Sequence, residues 1–209
     1  MNWNGYAGKV LEVDLNSGRI TSGELDREVV EQFIGGKGFG IYTLYNRLPV
    51  GCDPLSAENM LVFATGPLTG SSAPASGRME VCTKSPATGF WLDSNAGGSL
   101  GPEFKYAGYD ALIITGAAAA PMILLIEDDA VSLVPAGDYW GLDALETHRR
   151  IKTAYSDEHR VACIGPAGEH LSPLAGILTE YRSFGRGGAG AVMGSKHLKA
   201  VVVKGTGNL

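Results

Sequence analysis

Cysteine is scarce in this sequence, with three residues among 209 and no C-x-x-C spacing. Cys52, Cys82 and Cys163 therefore offer no pattern for joint metal ligation, and an odd trio suits a reducing cytoplasm. Cys82 in "MEVCTK" and Cys163 in "RVACIG" read as small core residues of strands. The four histidines, His148, His159, His170 and His197, are scattered without metal-ligand spacing. No G-x-S-x-G occurs, and the serines of "TGSSAPASG" have no base partner nearby, which argues against nucleophilic catalysis. Charge is also thin: 19% of residues, net −5, with a sequence pI near 5.4. A general nucleic-acid binder is excluded on that balance, so any anion must be held by local geometry. The longest apolar runs, "DALIITGAAAAPMILLIE" and "AVVV", are interrupted or followed by Gly, Pro or charge, so no membrane span is expected. "MNWNGYAGKVLEVDL" has neither the basic start nor the apolar stretch of a signal peptide.

What is abundant is glycine, with 30 residues gathered at particular places. "GRGGAGAVMGSK", residues 185–196, is the extreme case. Ordering so flexible a segment costs backbone entropy. It must answer to a closely packed helix, a phosphate or a larger anionic cofactor.

"GKVLEVDLNSGRITSGEL" alternates as a hairpin with a turn at Asn16-Ser17-Gly18. "DREVVEQFIGG" predicts a short helix with Asp26 as N-cap and Gly35 as its stop, and "GFGIYTLYNRLP" a second helix. "NMLVFATGP", "GRMEVCTKSP", "ALIITG", "PMILLIED" and "AVSLVPA" read as strands, with a turn at Asp128-Asp129. "LDALETHRRIKTAY" is an amphipathic helix with Leu142, Leu145, His148 or Arg149, and Ile151 or Lys152 at helical spacing. Strands joined mostly by turns give the α+β class, with antiparallel or mixed sheets.

The chain also carries a weak internal repeat. At an offset of 99, Val62, Gly66, Pro67, Pro74 and Gly77 fall on Val161, Gly165, Pro166, Pro173 and Gly176. At an offset of 89, Gly98, Gly101, Ala111 and Gly116 fall on Gly187, Gly190, Ala200 and Gly205. Both halves run strand, Gly-Pro turn, Pro-x-x-Gly, glycine loop, short helix, apolar strand. A duplicated domain would set its two glycine loops in equivalent places, with room for a ligand between them.

Four segments could carry chemistry. "GGKGFG", residues 35–40, is either a helix corner needing positive φ or a ligand loop. "TGPLTGSSAPASGR" delivers Arg78 behind small residues only; it can fork onto an anion or serve a surface ion pair. "WLDSNAGGSLG" presents Asn95 and then backbone amides before a helix start. "GRGGAGAVMGSK" does the same before "LKAVVVKG". The spacing of a P-loop is absent. A dinucleotide loop is disfavoured, since Gly188 and Gly190 lack the third glycine, a leading strand and a following acid. The residues alone describe a platform for an anionic cofactor, with chemistry supplied by that cofactor or by another chain.

In order and spacing, "GYAGKVLEVDLNSGRI", "GGKGFGIYTLY", "DPLSAENMLVFATGPLTGSSAPASGRMEVCTKSPATGF", "SNAGGSLGPEFKYAGYDALIITG", "RVACIGPAGE" and "GRGGAGAVMGSKHLKAVVVKG" resemble the N-terminal domain of the aldehyde ferredoxin oxidoreductase family. The resemblance covers essentially all of residues 1–209, read as one domain. It implies an α+β unit of two mainly antiparallel β-sheets with flanking helices, forming a base for a tungsten bis-pterin cofactor, with molybdenum in some relatives. It implies that Arg78 lies between a pterin and an iron–sulfur cluster. Asn95 and Gly187 would offer backbone oxygens to a magnesium ion between the pterin phosphates. Gly97, Gly98, Arg186 and Gly188 match cofactor-contacting loops, and Lys37 and Gly38 the early glycine turn. The implied reaction oxidises an aldehyde to a carboxylate, with electrons passing through a [4Fe–4S] cluster to ferredoxin. The cluster cysteines and remaining pterin loops belong to later domains of the family and are absent here. Three partners are implied: those domains or a separately encoded subunit, ferredoxin, and further copies in a homo-oligomer. The alternatives are a non-catalytic pterin-phosphate-binding or assembly module and a simple nucleotide-phosphate binder.

Overall fold

The computed structural model describes residues 4–208. The chain begins with a hairpin of β1 (Lys9–Asp14) and β2 (Arg19–Glu24). Its turn is tied by Asp14, whose carboxylate accepts from the Ser17 hydroxyl (2.6 Å) and the Asn16 amide (3.0 Å). Helices α1 (Arg27–Phe33) and α2 (Lys37–Arg47) follow, then strands β3 (Leu61–Thr65), β4 (Met79–Lys84) and β5 (Trp91–Ala96). Helix α3 (Leu100–Tyr106) leads to β6 (Ala111–Thr115), which closes the first half. The second half repeats the plan: β7 (Met122–Glu127), β8 (Ala130–Pro135), α4 (Ala144–Ala154), β9 (Arg160–Cys163), the single turn α5 (Pro166–Glu169), β10 (Ile177–Thr179), β11 (Arg182–Phe184), α6 (Ala189–Ser195) and β12 (Leu198–Lys204).

The duplication holds at the level of topology. The first sheet runs β2-β1-β6-β3-β4-β5 and the second, read from its hairpin, β8-β7-β12-β9-β10-β11. Each strand of the first sheet has the strand six later as its counterpart. The one parallel junction falls at the same place in both, β1 with β6 and β7 with β12; the other pairs are antiparallel. Glycine positions repeat too. A Cβ on Gly101 would lie 3.3 Å from the Gly77 carbonyl oxygen, and one on Gly190 would overlap that of Gly176. These are the residues that the two offsets align.

The sheets stack face to face over a shared core that includes Leu11, Phe63, Val81, Leu112, Leu124, Ile177 and Val203, with Phe104 of α3 and Val192 of α6 built in. Phe63 and Phe184 meet edge to face across it, 5.8 Å between centroids. Helices α1 and α2 cover the outer face of the first sheet, and α4 that of the second. Cys82 and Cys163 sit in these outer cores, and burial pushes the Cys163 thiol up to about 12. No helix among the described residues is long and apolar enough to cross a membrane.

Three short strands escape the hydrophobic pattern. β5 has a polar outer face, Asp93 and Asn95, and β10 and β11 are three residues each. The face of α4 is also rotated from the expected one: Ala144, Thr147, His148 and Ile151 are buried, while Leu145 is exposed. Burial of β9 under His148, which bonds the Val161 carbonyl at 3.1 Å, decides this over the leucine spacing. Asp26 and Asp143 cap α1 and α4 by accepting from the amides of Glu28 and Glu146. Asp143→Ala is expected to cost about 1 kcal/mol, read as a thermal shift of roughly 2–4 °C for a chain of this size.

Candidate functional site

Strands β5 and β11 are the terminal strands of their sheets, on the side away from the hairpins. The fold brings these edges together. The Arg186 amide donates to the Ser94 hydroxyl at 3.2 Å, and the Ser85 hydroxyl donates to the Gly187 carbonyl at 2.7 Å. The glycine loops after β5 and β11 therefore lie along one seam between the halves.

A cavity of about 390 Å³ opens on this seam, lined by Ala75, Gly77, Arg78, Asn95, Ala96, Gly97, Gly98, Arg182 and Ser183. Arg78, Asn95, Gly97 and Gly98, separate in sequence, thus share one wall. The Arg78 guanidinium donates to Asn95 Oδ1. Nothing would obstruct a Cβ on Gly97 within 4 Å, and one on Gly98 would be 3.9 Å from Arg182 Cγ. Space at these two glycines opens toward the cavity.

The electrostatics select an anion. The lining holds two guanidiniums and no carboxylate, in a chain of net charge −5. Elsewhere arginines are paired: Arg47 with Glu12, Arg149 and Arg150 with Glu146, Arg160 with Glu180. Arg182 has no partner among the described residues, nor does the exposed Arg186 guanidinium. Two unpaired arginines beside a third, at one seam of an acidic protein, leave donor capacity for an outside anion. By contrast, a 310 Å³ cleft beside β1 mixes Glu12, Asp14 and Glu58 with Arg19 and Arg47.

Of the three demands that "GRGGAGAVMGSK" could answer, close packing is visible at Gly187, Gly188, Gly190 and Gly194. A Cβ on Gly187 would overlap the Leu92 side chain, and one on Gly188 would lie 2.5 Å from the Pro173 carbonyl oxygen. Gly190 and Gly194 face the carbonyl oxygens of Gly176 and Gly168 in the same way. The Gly190 amide bonds the Ala175 carbonyl at 2.9 Å instead of pointing at a ligand. This stretch is bare because α6 is packed tightly against its own domain. Gly187 and Gly188 accordingly do not line the cavity, and the Gly187 oxygen already accepts from the buried Ser85. Arg182 and Ser183 are the second-half residues that do; sequence reasoning missed them, because each is an ordinary residue of a three-residue edge strand.

"GGKGFG" is a helix corner. Ile34, Gly35 and Gly36 all have positive φ, and a Cβ on Gly38 would overlap the Phe33 carbonyl oxygen. Lys37 is outside the cavity; its ammonium pairs with Asp93 at 3.2 Å, which raises its pKa. Between that pair and the Arg78–Asn95 pair stands Glu80, also absent from the sequence reading. It is directly opposite Asn95 in the β4–β5 register. Burial, then Asp93, raises its pKa, against the opposing pull of Lys37, Arg78 and an Asn95 hydrogen bond. Among the described residues no group of three or more His, Cys, Asp or Glu could hold a metal ion.

Known proteins are similar to this chain in sequence and in fold. The model for "Aldehyde ferredoxin oxidoreductase, N-terminal domain" matches residues 10–205. A tungsten-containing aldehyde ferredoxin oxidoreductase of Pyrococcus horikoshii is 47% identical over 203 residues, 96% of this chain and 33% of that protein. The aliphatic sulfonate oxidoreductase, WOR-like subunit, of Pyrococcus furiosus is 38% identical over 98% of this chain and 35% of its own length. Among solved structures, a chain of the active site complex BamBC of benzoyl coenzyme A reductase with 1,5-dienoyl-CoA superposes with a TM-score of 0.97 at 42% identity. That match covers 99% of this chain and 32% of the other. The chain spans about a third of the length of these relatives.

Proposed function

The chain belongs to the aldehyde ferredoxin oxidoreductase family, and from that premise we propose that it is the N-terminal, cofactor-carrying domain of a larger tungsten- or molybdenum-pterin oxidoreductase. One observation carries this reading: the seam cavity, with Arg78, Arg182, Asn95 and open backbone at Gly97 and Gly98, and no acid in its lining. A large anion with phosphates fits that donor set. Its negative charge would meet guanidiniums that already stand free or share only an amide oxygen.

When bound, the pterin cofactor would supply the redox chemistry, two-electron oxidation of an aldehyde with electrons passed to a [4Fe–4S] cluster and ferredoxin. The residues of this chain bind and orient. Arg78 would fork onto the pterin side, held at one corner by Asn95; Arg182 would neutralise the opposite flank. Asn95 and Gly187 would offer main-chain oxygens to a magnesium ion that neutralises phosphate charge; the Gly187 oxygen, which accepts one hydrogen bond from Ser85, keeps a second lone pair. Arg186 would reach the same anion from the seam, whereas Gly188, Lys37 and Gly38 shape the neighbouring backbone.

The named relatives that carry this domain act on aldehydes, an aliphatic sulfonate and a benzoyl thioester. Substrate choice is accordingly assigned to the other two-thirds of the enzyme, and the aldehyde reading follows the relatives named as tungsten-containing aldehyde ferredoxin oxidoreductases. The proposed partners are those remaining domains or a separate subunit, ferredoxin, and further copies of the enzyme, in the cytoplasm. The isolated chain would be inactive. A non-catalytic module would keep the same cavity; metal and pterin analysis separates the two. The full-length enzyme, or this chain co-expressed with the polypeptide that completes it, is expected to contain tungsten or molybdenum with pterin. Absence of all three from the complete assembly would reject the redox reading.

A further inference from the structure

We propose that Ser85 is a positioning residue: its hydroxyl holds the Gly187 carbonyl, and with it the Arg186–Gly187 loop of the second half, in the direction that serves magnesium at the cofactor seat. The proposal rests on the reading of Gly187 as an oxygen donor to that ion. It concerns a residue outside the cavity lining, 102 positions from Gly187 in sequence.

Ser85 follows directly on β4, and its backbone is fixed twice in the turn to β5. Its amide donates to the Phe90 carbonyl and its carbonyl accepts from the Gly89 amide, both at 2.8 Å. The side chain is buried. Its oxygen accepts from the amides of Ala87 and Thr88, each at 3.2 Å. A serine hydroxyl has two acceptor sites and one proton. With both acceptor sites engaged by its own turn, the proton is left for the Gly187 oxygen at 2.7 Å. A free hydroxyl rotates to suit its neighbours; here any other rotation would turn the proton toward a group that only donates.

Other first-half residues close around the same stretch. The Ser94 hydroxyl accepts from the Arg186 amide at 3.2 Å, so two buried serines fix neighbouring peptide groups, one by accepting and one by donating. A Cβ on Gly187 would overlap Leu92 and lie 3.2 Å from Ser85 Oγ, and one on Gly188 would lie 2.8 Å from Pro86 Cγ. Gly187 also has a φ of +61°, which glycine adopts at little cost. Packing by Leu92 and Pro86 sets where the loop lies; the Ser85 hydroxyl sets which way the Gly187 carbonyl points. That bond takes one lone pair of the oxygen and leaves the other. Magnesium demands near-octahedral geometry, so an oxygen that serves it must keep its direction. Groups that orient a metal's ligands matter to affinity nearly as much as the ligands do.

The test uses S85A, S85C and S85T in the full-length enzyme. Alanine removes the hydroxyl, cysteine nearly keeps its size with a weak donor, and threonine keeps the donor. Magnesium per polypeptide is followed against increasing EDTA, with pterin content and a thermal melt on the same samples. S85A and S85C are expected to hold magnesium roughly 10- to 100-fold more weakly and to lose pterin with it. Excess magnesium during purification should restore both, which a merely loosened fold would not show, and S85T should match wild type. Wild-type magnesium affinity in folded S85A or S85C would overturn the assignment. So would losses that excess magnesium leaves uncorrected, or losses in S85T equal to those in S85A. A complete wild-type enzyme without magnesium would instead sink the reading of Gly187 as its ligand. Amide exchange across residues 185–191 then decides the hold on the loop: faster exchange in S85A supports it, and unchanged exchange refutes it.

Discussion

Replacing Arg78 with alanine in the full-length enzyme is expected to lower metal and pterin content at least tenfold while the domain stays folded. Arg78 is exposed and makes its one side-chain hydrogen bond to Asn95. Removing it leaves no buried group unpaired, and stability should change by no more than about 0.5 kcal/mol. The cofactor, in contrast, would lose a charge-assisted bond of about 1.5–3 kcal/mol, a factor of roughly ten to a hundred in affinity. Arg78→Lys is expected to recover only part of the loss, because a point charge cannot reproduce the planar fork. Metal analysis, pterin extraction and a thermal melt on the same samples suffice. Full occupancy in the alanine variant would remove Arg78 from the site.

Gly190→Val is expected to damage the fold severely, with a cost of about 4 kcal/mol or more. A Cβ there overlaps the Gly176 carbonyl oxygen and lies 2.8 and 2.9 Å from the carbonyl carbons of Gly176 and Ala175. All three are backbone atoms that cannot turn aside. At 2–4 °C per kcal/mol, the midpoint of thermal unfolding should fall by roughly 8–16 °C. Its counterpart Gly101 is the internal comparison. The nearest atoms there are Thr69 Cγ2 at 3.1 Å and Met79 Cβ at 3.2 Å, side-chain atoms, with the Gly77 oxygen at 3.3 Å. Gly101→Ala should therefore cost clearly less than Gly190→Ala. Gly97→Ala meets nothing and should leave stability unchanged. Equal stability losses at positions 97 and 190 would refute this division of the glycines into packing and clearance.

Much of this arrangement was legible in the residues. The two offsets align the strands that prove to be counterparts, β3 with β9 and β6 with β12. Repeated sequence persists where repeated backbone contacts require small residues, as at Gly77 with Gly101 and Gly176 with Gly190. Arg78, Asn95, Gly97 and Gly98, singled out in separate segments, line one cavity. Arg182 and Ser183 were not legible. Each is an ordinary residue of a three-residue edge strand, and its importance comes from what the other half places opposite it.

The sequence by itself determined the class, the duplication and the family, because hydrophobic alternation, caps and glycine spacing are local demands of the backbone written in order along the chain. Only the tertiary structure decided what each glycine is for. An absent side chain has the same letter whether the space beside it is filled by the backbone of a neighbouring loop, as at Gly190, or left open, as at Gly97. That difference lies in atoms more than ten residues away, and folding alone brings them near.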